Sequence, residues 1–173
     1  VDLTPTWLEA AGVPIPEKVQ GVSFLPLLQG RAYTGREAIY AERNWHDTFD
    51  PIRAVRTRRH KLIFNAAPRS GYRPAWDLED SPTWQEIQRL GRRGDLTEPQ
   101  RRMLEESRPE LELYDLEKDP DEFHNRITDP EYAEIRQDME RKLSDWMHAT
   151  YDYLPPLYRQ APAPKKATRG TGL

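Results

Sequence analysis

The residues best suited to chemistry lie in one short stretch of this 173-residue chain. It reads Glu42-Arg43-Asn44-Trp45-His46-Asp47, and Asp50 follows shortly after. The guanidinium of Arg43 can grip a carboxylate or sulfate in a fork geometry that lysine cannot supply. His46 beside it offers ring nitrogens to a ligand, and Trp45 offers a flat apolar face. Each has a plainer reading. His46 can be a solvated loop histidine bonded to Asp47 or Asp50, Arg43 can pair with Glu42 or Asp47, and Trp45 can simply pack. From Glu42 to Lys61 there are six Lys/Arg (Arg43, Arg53, Arg56, Arg58, Arg59, Lys61) against three acids, a local +3 in a chain of formal net charge −3. A basic, loop-bearing segment rooted on strands suits the grip on an anion.

The surrounding pattern says what must hold these residues. Glu37–Glu42 reads as a strand that runs into a polar loop, Glu42–Asp50. Ile52–Thr57 and Lys61–Asn65 read as a hairpin across Arg58-Arg59-His60, its tip in water, with Leu62 and Phe64 on one face. Ala66–Asp80 reads as a loop. Ser81 caps a helix that carries Trp84, Ile87 and Leu90 on one side and ends at Gly91–Gly94, and Thr97 caps a second helix to about Glu106. Glu110–Leu116 is a further strand. The last helix is the clearest, with Thr128 or Asp129 as cap, Pro130 in its first turn, and an apolar stripe of Tyr132, Ile135, Met139, Leu143 and Trp146. At the start, Asp2–Gly12 is a short helix with Thr4 as cap, Pro5 in the first helical position and Trp7, Leu8 and Ala11 on one face. A buried helical turn is expected at Leu25–Gln29. After Asp152, Pro155, Pro156, Pro162 and Pro164 predict an extended or disordered tail. The fold class is therefore α+β: a small antiparallel sheet of about four strands with the long C-terminal helix packed on it.

Composition narrows the function. Hydrophobic residues make up 36%, and the value stays near there when glycine is counted in place of tyrosine, against roughly 45–50% in typical domains. The core is thin for the length, and part of the surface is expected to meet something else. There are no cysteines, so disulfides, thiolate metal sites and a cysteine nucleophile are excluded within this chain. The negative net charge argues against general nucleic-acid binding. No run approaches the ~18 apolar residues of a membrane span. The chain begins at Val1 and reads as a piece of a longer protein.

Three ordered segments carry a resemblance. Asp2-Leu3-Thr4-Pro5-Thr6-Trp7-Leu8-Glu9-Ala10-Ala11-Gly12 continues to Gly21-Val22-Ser23-Phe24-Leu25-Pro26-Leu27-Leu28. Arg53-Ala54-Val55-Arg56-Thr57 precedes His60-Lys61-Leu62-Ile63. Glu112-Leu113-Tyr114-Asp115-Leu116-Glu117-Lys118-Asp119-Pro120-Asp121-Glu122 precedes Asn125 and Asp129-Pro130. Together they resemble the C-terminal part of the type I sulfatases, of the alkaline-phosphatase-like superfamily. The stretch Glu42–Asp47 and the insertion Ser81-Pro82-Thr83-Trp84-Gln85-Glu86 are similar to the heparan N-sulfatase (sulfamidase) branch, which removes sulfate from the amino group of terminal glucosamine.

The resemblance implies a C-terminal subdomain (31–150) attached to the last helix and connector of a catalytic domain (1–30), with the Pro-rich tail at 151–173. It implies that the N-terminal catalytic domain is this chain's partner and a sulfated carbohydrate its substrate. The formylglycine nucleophile, made in a Cys/Ser-x-Pro-x-Arg motif, and the calcium ion belong to that N-terminal domain. No Ser of this chain begins such a motif, so the chain alone is expected to be inactive. It is expected to bind no cofactor and to shape part of the pocket rim, with His46, Arg43 and Trp45 as substrate-binding residues. Arg53 and Arg56 are expected to tie the sheet to the catalytic domain through ion pairs. His124 and His148 read as surface or packing residues. Asp115, Asp119, Asp121 and Glu122 lack the spacing of a calcium loop and read as a turn followed by a helix start. A periplasmic, extracellular or lysosomal setting accords with the family. The alternatives are a phosphoester or phosphonate hydrolase of the same superfamily, and a non-catalytic glycan-binding module.

Overall fold

A computed structural model describes residues 1–68, 71, 72 and 74–154; most of the expected Pro-rich tail lies outside them. Contacts group the chain into two units, Val1–Glu37 and the residues from Ala38 onward.

In the first unit, α1 (Leu3–Ala10) and α2 (Leu25–Leu28) are held by side chain to backbone bonds. The carboxylate of Asp2 accepts from Val22 N at 2.8 Å and pairs with Arg36 at 2.7 Å. Thr6 Oγ1 donates to Asp2 O (2.7 Å) and accepts from Phe24 N (3.1 Å). The expected Thr4 cap is not used, because Thr4 lies inside the helix. Pro5 and Thr6 are the buried residues of α1, whereas Trp7, Leu27 and Leu28 are exposed. The apolar face expected at Trp7 and the buried turn at Leu25–Gln29 are thus uncovered. Apolar spacing marks a face suited to burial without supplying what buries it.

The second unit is a four-stranded antiparallel sheet in the order β1-β2-β3-β4 (Ile39–His46, Thr48–Arg56, His60–Asn65, Leu111–Asp115). One face carries Val55, Leu62 and Leu113, each fully buried, against Tyr132, Met139 and Leu143 of the C-terminal segment. Helix α6 (Ala133–Ala149) supplies most of that cover, and Tyr40 stacks on Trp146 with ring centroids 5.0 Å apart. The expected stripe is therefore the core. A 3₁₀ turn, Pro130–Tyr132, leads into α6, with the Asp129 carboxylate accepting from Glu131 N. Between β3 and β4 stand α3 (Trp76–Glu79), α4 (Pro82–Arg93) and α5 (Glu98–Arg102). Ser81 caps α4 through Trp84 N, and Gly94 ends it at φ +76°, a backbone conformation glycine adopts without a Cβ penalty.

Several expectations change. The stretch Glu42–Asp50 is no open loop. It is the paired end of the β1–β2 hairpin, turning at Asp47. The region Ala66–Asp80 contains α3, and the helix expected from Thr97 to Glu106 stops at Arg102 behind a capping box of Thr97 and Gln100. The Asp115–Glu122 turn is not followed by a helix start; the next helical residue is Pro130.

Candidate functional site

The β1–β2 hairpin closes at Asp47, with His46 paired to Thr48 and Trp45 to Phe49. Asp47 takes φ +50°, a conformation that aspartate tolerates better than most residues. Its carboxylate accepts a hydrogen bond from Trp76 N at 2.8 Å and lies 3.3 Å from His46 Nδ1. The turn is therefore fastened to the start of α3. The register then shifts between Arg43 and Trp45, so that Asp50 and Pro51 stand opposite Asn44 alone. Pro51 has no N–H to give to a ladder, which suits it to such a bulge.

These two segments enclose a groove of about 250 Å³. Arg43, His46, Asp47, Thr48 and Asp50 form one wall, and Tyr72, Pro74, Ala75, Trp76 and Glu79 the other. Tyr72 meets Trp84 of α4 edge-on at 6.1 Å. His46 and Trp76 are both about two-thirds exposed, so each presents a free face at the groove mouth.

The electrostatics differ from a simple anion grip. Arg43 pairs with Asp50, and Arg108 holds the same carboxylate from the other side. That pairing sets aside the alternatives of Glu42 or Asp47. Among the described residues, four of the six cations between residues 42 and 61 have acidic partners: Arg43 with Asp50, Arg53 with Asp152, Arg59 with Asp115, and Lys61 with Glu122. With Arg43, His46, Asp47, Thr48 and Asp50 on one wall and Tyr72 and Trp76 on the other, the described lining can hydrogen-bond polar groups and face a ring.

The three residues expected to bind substrate separate. Arg43 and His46 line the groove together. Trp45 does not line it and lies tilted against Phe49, exposed. Trp76 and Tyr72 were missed. Their only sequence signal was aromatic content within a Pro/Gly-rich stretch.

Three other basic residues move from their expected roles. Arg53 is 1% exposed and bonds Asp152 and Asn44 of the same unit, so it does not reach outward to tie the sheet to another domain. Arg58 stays exposed at the hairpin tip as expected, whereas His60 is largely buried and the half-exposed Arg59 reaches back to a buried carboxylate. Arg59 donates to Asp115 at 2.8 and 3.1 Å, and Tyr132 donates to the same buried carboxylate at 2.9 Å. The Arg59 guanidinium, helped by the Tyr132 hydroxyl, holds the Asp115 carboxyl well below the usual range. Burial lowers the pKa of His60, whose Nε2 is enclosed without a hydrogen-bond partner among the described residues, 4.0 Å from the Asp115 carboxylate. Burial raises Tyr114, and the Glu112 carboxylate adds to the rise. Asp119 accepts from Phe123 N and His124 N, tying the turn. His124 lies exposed beside Asp119, and His148 bonds Ser144 O at 2.7 Å.

The chain has no cysteine, and none of its serines is followed by x-Pro-x-Arg. Among the described residues no three His, Asp or Glu side chains come together as a metal site. No described helix is long and apolar enough to cross a membrane.

The four-stranded sheet with its covering helix is shared with a solved 2-O GAG sulfatase, at TM-score 0.58 and 24% identity, over 87% of this chain and 25% of that one. This likeness defines the class of fold. The family model described as N-sulphoglucosamine sulphohydrolase, C-terminal, matches residues 1–107, and the chain belongs to that family. It is 36% identical over 154 residues to an ulvan-active sulfatase of Formosa agariphila, covering 88% of this chain and 25% of the relative. It is 27% identical over 164 residues to the human N-sulphoglucosamine sulphohydrolase, covering 88% and 32%. The chain thus spans between a quarter and a third of the length of these curated relatives.

Proposed function

We propose that this chain is the C-terminal part of a sulfatase acting on a sulfated sugar, of which N-sulfoglucosamine is one candidate. Its role is to wall part of the substrate pocket. On this reading the partner is an N-terminal catalytic domain of the same protein. That domain carries the formylglycine and the calcium ion, and this chain alone releases no sulfate.

The observation that carries the reading is the groove between the Asp47 hairpin turn and Trp76. Both walls lie inside the residues matched by the family model. A sugar ring is apolar on its faces and polar on its rim. Trp76 and Tyr72 suit the face, while His46, Asp47 and Thr48 suit the rim hydroxyls. Arg43 is already engaged by Asp50, so it supports the wall and contributes a hydrogen-bonding edge. The sulfate itself is left to the catalytic domain, where a hard cation neutralises its oxygens.

The test is sulfate release from N-sulfoglucosamine, other sulfated sugars and an aryl sulfate by the complete protein. The expected result is turnover of at least one sugar by the complete protein and none by this chain. A complete protein without a Cys/Ser-x-Pro-x-Arg motif upstream of Val1, or one that cleaves aryl phosphates in preference to sulfates, contradicts the proposal.

A further inference from the structure

We infer that Arg53 is a positioning residue for the groove. Its buried guanidinium locks the bulge between β1 and β2 and ties it to Asp152, so the segment after α6 sets the aim of Arg43 and His46. The inference rests on the reading of the groove as a substrate wall.

The bulge is the weak point of that wall. Asp50 and Pro51 oppose Asn44 alone. An extra residue interrupts the ladder, bends the strand and leaves its local geometry undetermined by sheet pairing. Arg53 supplies what the ladder omits. Its Nη1 donates to Arg43 O at 3.1 Å on β1 and to Ile52 O at 2.9 Å on β2. Its Nη2 donates to Asn44 Oδ1 at 2.7 Å, opposite the extra residue. One planar group thus grips both strands at the break in register.

The other edge of the guanidinium meets Asp152. Nη2 donates to Oδ1 at 2.6 Å and Nε donates to Oδ2, a forked pair that bridges 99 positions of sequence. Arg53 is 1% exposed, and Asp152 adjoins the C-terminal end of α6. Buried ion pairs are often replaceable by apolar residues without loss of stability, so stability alone does not account for this one. Its donors have fixed directions, and lysine cannot reproduce them. The clamp converts the position of the post-α6 segment into the geometry of residues 43–46. Asp152 lies outside residues 1–107.

The test uses the complete protein with three changes: Asn44→Ala, Arg53→Lys, and the double variant Arg53→Met with Asp152→Leu. The double variant removes both charges together, so no buried charge is left unpaired. Amide hydrogen exchange at residues 43–47 is expected to rise about tenfold in the double variant and less in Asn44→Ala, with exchange at Leu62 and Leu113 unchanged. The ratio of sulfated-sugar to aryl-sulfate kcat/KM is expected to fall about tenfold in the double variant, and Arg53→Lys is not expected to restore it. Unchanged exchange at 43–47, or equal losses on sugar and aryl sulfate, overturns the inference. Faster exchange at 43–47 with the sugar rate intact, both here and in His46→Ala, overturns the wall reading and leaves the clamp standing.

Discussion

The sheet has two hairpin ends that look alike in sequence and differ in the molecule. One carries Arg43 and His46, the other Arg59 and His60. At the second end the histidine turns inward, while Arg59, as exposed as Arg43, reaches back to a buried carboxylate. Arg59 and Tyr132 saturate the buried Asp115, and His60 is 15% exposed. At the first end Arg43 shares Asp50 with Arg108, and His46 stays two-thirds exposed over a groove. The difference lies in what the rest of the chain delivers to each end. The second end receives a carboxylate from β4 and a hydroxyl from the C-terminal segment. The first receives a second wall, drawn from residues 71, 72 and 74–79, that leaves a space. A histidine and an arginine at a hairpin end do not by themselves mark a site.

The comparison breaks most easily at the inward end. Asp115→Ala strips the acceptor from the buried Tyr132 hydroxyl and releases Arg59. An unsatisfied buried donor costs roughly 1–3 kcal/mol, so urea unfolding should show a midpoint lowered by a corresponding amount. His46→Ala should change the midpoint by no more than about 0.5 kcal/mol, as for an ordinary surface substitution. Equal destabilisation by the two would erase the distinction.

The outward end should answer in recognition. Trp76→Ala in the complete protein should lower kcat/KM on a sulfated sugar by about threefold to tenfold, the value of an aromatic contact of about 0.5–1.5 kcal/mol. Trp45→Ala should have less effect, since that side chain does not line the groove. The reverse order would move the wall to the opposite side of the hairpin.

A smaller effect lies in pH. Burial lowers the pKa of His60 in the folded chain, so between about pH 6.5 and that lowered value the unfolded chain binds the extra proton. Its contribution is fully present above about pH 6.5 and is lost as pH falls. Asp115, also lowered, adds a further loss only below about pH 4. Urea midpoints at pH 7.5 and 5 should therefore draw closer in His60→Phe than in the unaltered chain. An unchanged gap would place the acid sensitivity elsewhere.

Much of this architecture was readable from local rules. Helix α6 announced itself through its stripe and the Asp129-Pro130 start. Helix α4 did so through Ser81 and Gly94, and the core face of β3 through Leu62 and Phe64. The β1–β2 hairpin was not readable, because His46-Asp47-Thr48 contains no Asn-Gly or Asp-Gly signal and Pro51 looked like an interruption. In the structure that proline sits in a bulge. Long-range partners were equally silent in the sequence. Arg53 and Asp152 are 99 positions apart, and Arg59 and Asp115 are 56 apart. So cations read as a surface patch proved to be internal ties. His46 and Arg43 both line the groove, whereas Trp76 stood in a stretch that offered no periodicity to place it.

The central claim is that the hairpin end at His46 recognises the sugar and takes no part in the attack on sulfur. The most direct measurement is the kcat/KM of the complete protein and its His46→Ala variant on N-sulfoglucosamine or another sulfated sugar that it turns over, and on a small aryl sulfate. Loss of one substrate hydrogen bond, about 0.5–1.5 kcal/mol, predicts a ratio of sugar to aryl-sulfate turnover lowered by up to about tenfold. Equal losses on both substrates, or no loss on either, would contradict it.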